Sequence, residues 1–95
     1  MSLLFAWDRA KAIRNLDKHG VSFEEALTVF ADPLARIFND DRHSEQEERE
    51  LIIGYSVRRR LLVVSFVERG SFLRIISARL ATPKERRKHE ESQDP

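Results

Sequence analysis

The sequence predicts an α+β domain in which a short strand and two helices precede an antiparallel meander of strands and a closing helix. Three observations carry that prediction. Residues 49–56, 61–67 and 72–78 are rich in Ile, Leu, Val and Phe and are joined at hairpin length. Ahead of them, Phe23, Ala26, Leu27 and Phe30 recur at i, i+3, i+4 and i+7, the period of a helix with one buried face. Ser22 with Glu25, and Thr82 with Glu85, have the spacing of capping boxes that open helices before and after the strands.

Taken in order, residues 3–7 (Leu-Leu-Phe-Ala-Trp) form a short apolar strand. Asp8 is a good N-cap for a helix over about 9–19, with Ala10, Ile13 and Leu16 as its inner stripe and Gly20 as the left-handed residue that closes it. Lys11, Asn15 and Lys18 then share another face at i, i+4 and i+7. The second helix covers about 23–31 and stops at Asp32-Pro33, because a residue before proline is driven out of the helical region. A short strand is expected at 34–38, followed by a polar stretch at 39–48 dense in acids. Arg58-Arg59-Arg60 and Glu68-Arg69-Gly70-Ser71 connect the three main strands. Pro83, one position after the Thr82 N-cap, suits the first turn of a last helix that runs to about 91. Residues 92–95 read as a loose tail on a single domain spanning 1–95.

Composition narrows the function. There is no cysteine, hence no disulfide framework, thiol nucleophile or thiolate zinc site. No apolar run approaches the roughly 18–20 residues of a membrane span. The opening residues lack the basic region of a signal peptide, so a cytoplasmic protein is expected. The net charge of +1 is divided unevenly: residues 1–50 carry seven Lys/Arg and eleven Asp/Glu, residues 51–95 ten and five. A basic surface for nucleic acid is compatible with that asymmetry, as are charges scattered over solvated faces. Gly20, Gly54 and Gly70 are isolated and make no phosphate loop, and His19, His43 and His89 have no metal-ligand spacing. No metal or other cofactor is expected.

What remains suits RNA cleavage without a metal. That reaction needs a base for the ribose 2′-hydroxyl, an acid for the leaving 5′-oxygen and cations around the phosphorane. His43, in D-D-R-H-S-E-Q-E-E-R, is either a general base with its pKa raised by nearby acids or a solvated loop residue. Glu47 and Arg49 either orient that imidazole and bind phosphate or form a surface ion pair. Strict alternation along R-I-I-S-A-R puts Arg74 and Arg79 on opposite sheet faces. Arg74 fits a salt bridge to a helix acid as well as a phosphate contact, and Arg79, at the strand end, is the better phosphate binder. Lys11 and Lys18 are RNA contacts or solvated lysines, and His19 an RNA contact or a C-terminal cap. The hairpin arginines, Arg59 at their centre, suit RNA backbone or solubility rather than catalysis. Glu85 is taken up by its capping box, and Phe5 and Trp7 belong to the core.

Four blocks resemble the BrnT toxin family: F-A-W-D with K-x-x-x-N-x-x-K-H-G-V-S-F-E-E-A, F-A-D-P, H-S-E-x-E-E-R-x-L-x-I-G, and R-I-I-S-A-R-x-A-T-x-x-E. The resemblance, over roughly residues 5–90, implies a RelE-like fold and a ribonuclease that blocks translation. It also implies a ribbon-helix-helix antitoxin of the BrnA type as partner. Two toxins and two antitoxins would assemble, with DNA met only through the antitoxin. Family residues that matter map to Lys18, His19, His43, Glu47, Arg49, Arg74 and Arg79. Relatives often have an aromatic where this chain has His89, which either weakens a packing contact or adds acid–base chemistry. The competing function is a catalytically weak antitoxin-binding module acting in promoter autoregulation.

Overall fold

A computed structural model describes residues 4–40 and 48–91. Its order is β1 (Leu4–Trp7), α1 (Arg9–His19), α2 (Phe23–Thr28) running into a 3₁₀ turn (Val29–Ala31), β2 (Arg36–Asn39), β3 (Glu50–Tyr55), β4 (Leu61–Arg69), β5 (Phe72–Leu80) and α3 (Pro83–Glu91). The five strands form one sheet in the order β1-β5-β4-β3-β2. β2 to β5 are antiparallel neighbours as expected, whereas β1 lies parallel to β5 and makes the sheet mixed. The tail expected at 92–95 lies outside the described residues.

α1 and α2 cover one sheet face. Between them lies the main core, with Val21, Phe23, Ala26 and Val29 against Ile52, Leu62, Val64, Phe66, Leu73, Ile75 and Ala78. Phe5 and Trp7 pack on this core edge-to-face with Phe30 and Phe23, as core residues. The opposite face buries Ile53, Leu61 and Val63. α3 lies over its β2–β3 side and, apart from Pro83, has no apolar residue. Polar contacts dock it instead. Arg86 reaches the Tyr55 hydroxyl, Lys88 sits 4.1 Å over the Phe38 ring, and buried His89 donates from Nε2 to the Leu34 carbonyl at 3.1 Å. The His89 ring also meets Tyr55 edge-on at 5.9 Å, so the histidine fills an aromatic's packing role.

α1 presents a different face from the one its apolar residues suggest. Ile13 and Leu16 are 62% and 51% exposed and Ala10 is exposed, while Ala12 and Asn15 point inward. Asn15 decides this orientation. β1 ends opposite Ile75, and beyond it the Asn15 amide takes the place of a neighbouring strand. Its Oδ1 accepts from the Ala78 N–H at 3.1 Å, and its Nδ2 donates to the Ala78 and Val21 carbonyls at 2.8 and 2.9 Å. Unpaired buried backbone groups are costly, so three satisfied ones outweigh the apolar side chains left in water. Lys11, Asn15 and Lys18 therefore do not act as one polar face: Asn15 is buried and both lysines are exposed.

The first capping box is half formed. Ser22 Oγ accepts from the Glu25 N–H at 3.0 Å, but the Glu25 carboxylate turns to the β3–β4 hairpin. There it accepts from Ser56 Oγ at 2.7 Å and from both Nε and Nη2 of Arg60, while Arg60 Nη2 also donates to the Gly20 carbonyl. Arg60 chiefly, with Ser56, holds the Glu25 pKa below the usual carboxylate range. Asp32 makes a second clasp, with Oδ2 accepting from the Tyr55 N–H at 2.7 Å. The backbone approaches so closely here that a Cβ on Gly54 would come within 2.8 Å of the Ala35 Cβ.

Candidate active site

One extra residue in β5 organises the face opposite α1 and α2. Ser65 pairs with Ser77 but Phe66 pairs with Ile75, so Ile76 is a bulge. The bulge shifts the alternation by one: Leu73, Ile75 and Ala78 all face the helices. Arg74 and Arg79 consequently share the other face, a correction to the strict alternation predicted for R-I-I-S-A-R. They stand four β4 positions apart, opposite Val67 and Val63, or about 13 Å along the strand.

That spacing separates their surroundings. Arg79 forms a bidentate pair with Glu85 at 2.6 and 2.8 Å, and Glu85 Oε1 also accepts from the Thr82 N–H at 2.9 Å. Arg79 and this complete capping box hold the Glu85 pKa down to about 2. The guanidinium expected to bind phosphate is engaged in fastening α3.

Arg74 belongs to another row. Val67 is its partner on β4 and Ala6 its partner on β1. β3 begins at Glu50, opposite Phe66; Arg49 precedes it, and the same register continued by one step would set Arg49 level with Val67. The Arg49 carbonyl in turn accepts from the Asp40 N–H at 3.0 Å. A single line thus runs Asp40, Arg49, Val67, Arg74, Ala6 across the sheet. Arg49 and Arg74 are two strands apart, about 10 Å between backbones, and each side chain is long enough to meet a common anion between them.

His43 and Glu47 lie outside the described residues. Chain connectivity ties their segment to this row, because Asp40 and Arg49 flank it.

The other sequence-selected residues are not gathered here. Lys11, Lys18 and half-buried His19 belong to α1, across the sheet from Arg49 and Arg74. Arg59 sits at the β3–β4 hairpin, the far end of β3 from Arg49, with φ 62. Its N–H donates to the Ser56 carbonyl at 2.9 Å, and it occupies the left-handed position of a three-residue turn where glycine is favoured. Sequence reasoning missed Phe72 and Arg69, which adjoin Arg74 on the same face. The alternation Phe72, Arg74 ahead of the bulge was the available signal.

Comparison with known proteins follows the same outline. A family model described as the ribonuclease toxin BrnT of type II toxin–antitoxin systems matches residues 7–85. The chain belongs to that family. The crystal structure of the Brucella abortus ribonuclease toxin BrnT is similar at 26% identity and a TM-score of 0.66, covering 85% of this chain and 99% of that one. No match was found among curated protein sequences. Membership of the family makes this chain a toxin of the ribonuclease class with an antitoxin as its partner. No helix among the described residues is long and apolar enough to cross a membrane.

Proposed function

We propose that the chain is a metal-independent endoribonuclease that halts translation by cutting RNA at the Arg49–Arg74 row. The observation that carries this reading is the alignment of two arginines on one sheet face, at the end of the sheet where the His43–Glu47 segment attaches. In this mechanism Arg49 and Arg74 grip the scissile phosphate and neutralise the charge that grows on the phosphorane. His43, oriented by Glu47, takes the proton from the ribose 2′-hydroxyl. The 2′-oxygen bonds to phosphorus, the bond to the 5′-oxygen breaks, and the protonated imidazole returns a proton to that oxygen. The products are a 2′,3′-cyclic phosphate and a 5′-hydroxyl, and no metal or other cofactor is consumed. Arg79 contributes indirectly by anchoring α3, and Lys11, Lys18, His19 and Arg59 contribute at most distant contacts with the RNA backbone.

The partner in this reading is a ribbon-helix-helix antitoxin of the BrnA type, two copies with two toxins, which carries the DNA contact. Its support is the family's type II class.

Cleavage of a defined RNA by the purified chain tests the mechanism. Arg49→Ala, Arg74→Ala and His43→Ala should each reduce cleavage by two orders of magnitude or more while retaining the parent's melting temperature, and excess EDTA should leave the parent unaffected. Full activity in both arginine variants would reject the row as the active site, and loss of activity with EDTA would reject metal independence.

A further inference from the structure

Next to Arg74 lies a cavity of about 290 Å³ lined by Ala6, Val67, Arg69, Phe72 and Arg74. All five lie on the face away from α1 and α2, because Leu73 and Ile75 occupy the helix-covered side. Phe72 pairs with Arg69 on β4 and with Leu4 on β1, two positions along β5 from Arg74. Phe72 is 52% exposed, as is Leu4, although the core residues Leu73 and Ile75 on β5 are almost completely buried. Gly70 takes the positive φ of the tight β4–β5 turn, so Arg69 and Phe72 are held opposite each other at the root of the hairpin rather than on a long loop.

A single exposed phenylalanine is ordinary. Here the ring forms a wall of a cavity whose other walls include two arginines, Arg69 and Arg74. Aromatic faces with flanking cations are how proteins hold single-stranded nucleic acid: the ring stacks on a base of any identity, and the arginines match the phosphates on either side. Base-paired RNA hides those base faces within its stack, so an exposed ring recognises it poorly.

We infer that Phe72, with Arg69 and Arg74, forms a subsite for one unstacked base of single-stranded RNA adjoining the scissile phosphate. This rests on the ribonuclease reading of the same face and adds its substrate class. The subsite selects unpaired RNA, tolerates any base and favours purines because their faces are larger. Phe72 is a binding and positioning residue; it takes no part in proton transfer.

The test uses the full chain with two short RNAs of the same sequence: a cleavable strand, and a 2′-O-methylated strand that cannot be cut, read by fluorescence anisotropy. Phe72→Ala should weaken binding of the uncleavable strand by about 5- to 150-fold. Phe72→Trp should retain it, and the melting temperature should hardly move for so exposed a side chain. An abasic site at one position of the strand should cause a similar loss that does not add to that of Phe72→Ala. On the cleavable strand, Phe72→Ala should raise KM more than it lowers kcat. Cleavage by the parent with unchanged binding in Phe72→Ala would overturn the subsite and leave the nuclease standing. Phe72-dependent binding without cleavage by the parent would uphold the subsite and overturn the nuclease. Absence of both binding and cleavage in the parent would overturn both, as would equal affinity for duplex RNA overturn the subsite.

Discussion

Replacing Asn15 by alanine is expected to cost about 3 kcal/mol of folding stability. Its side chain makes three hydrogen bonds, two to the Ala78 backbone and one to the Val21 carbonyl. Each is worth about 1 kcal/mol net, and each backbone group left buried without a partner carries a penalty of about 1–3 kcal/mol. With Asn15 only 7% exposed, water replaces few of these bonds, so 3 kcal/mol is nearer the lower bound than the upper. A chain of 95 residues has about 5–14 kcal/mol in total, so the variant still folds. Its melting temperature should fall by about 12–24 °C. Urea unfolding followed by circular dichroism should show a lower midpoint with an unchanged slope. Asn15→Asp sharpens the test: its carboxylate accepts from the Ala78 N–H but faces the Ala78 and Val21 carbonyls with no proton to donate. It should be at least as destabilising as alanine at neutral pH and recover partly in acid, where protonation returns one donor. A loss below about 0.5 kcal/mol for Asn15→Ala would refute the surrogate-strand role. Lost RNA binding at unchanged stability would return Asn15 to the nucleic-acid surface.

Further predictions concern the clasps around the sheet. Glu25→Ala should destabilise by about 2–4 kcal/mol, since it strands Arg60 in a half-buried position, whereas Glu25→Leu with Arg60→Met should recover much of that loss; thermal melts of the set give the coupling. Glu85, at about 2 when folded against 4.5 when free, gives stability that is complete above pH 4.5 and is lost as the pH falls from there toward 2. Screening at an arginine 39% exposed limits its worth to about 1–2 kcal/mol, and Glu85→Gln should flatten that part of the pH–stability curve. Arg59→Gly should stabilise the β3–β4 hairpin by up to about 1 kcal/mol in urea melts and leave cleavage intact. Gly54→Ala should cost about 1–3 kcal/mol, since its methyl group meets Ala35, Asp32 and Val29.

The order of the elements and most of their starts were legible in the sequence because apolar runs, Asp8, Gly20, Pro33 and the Thr82 box each mark a boundary by local chemistry. β2, however, begins two residues later than expected, and β4 and β5 each run two residues further. The faces were harder. Ile13 and Leu16 have a convincing helical period, yet α1 is oriented by the hydrogen bonds of one asparagine with a strand 63 residues away. The Ser22–Glu25 spacing marks a helix start correctly but not where the carboxylate goes, since Arg60 offers it a stronger partner than a backbone N–H. In β5 the bulge at Ile76 has no compositional mark, and it alone puts Arg74 and Arg79 on one face. The candidate site was therefore legible as a set of residue types and not as a geometry. The alignment of Arg49 with Arg74 arises from the register of three strands, which no local pattern encodes.

The parallel pairing of β1 with β5 also sets when the molecule is finished. Leu4 pairs with Phe72, so the first strand synthesised is the one that must wait longest for its partner. At ordinary translation rates of about 5–20 residues per second, some 3–14 s separate the two strands. Through that interval the line from Arg49 through Arg74 to Ala6 does not yet exist, although most of the helical layer has already been made. The sheet edge that completes this row closes only after β5 has been translated.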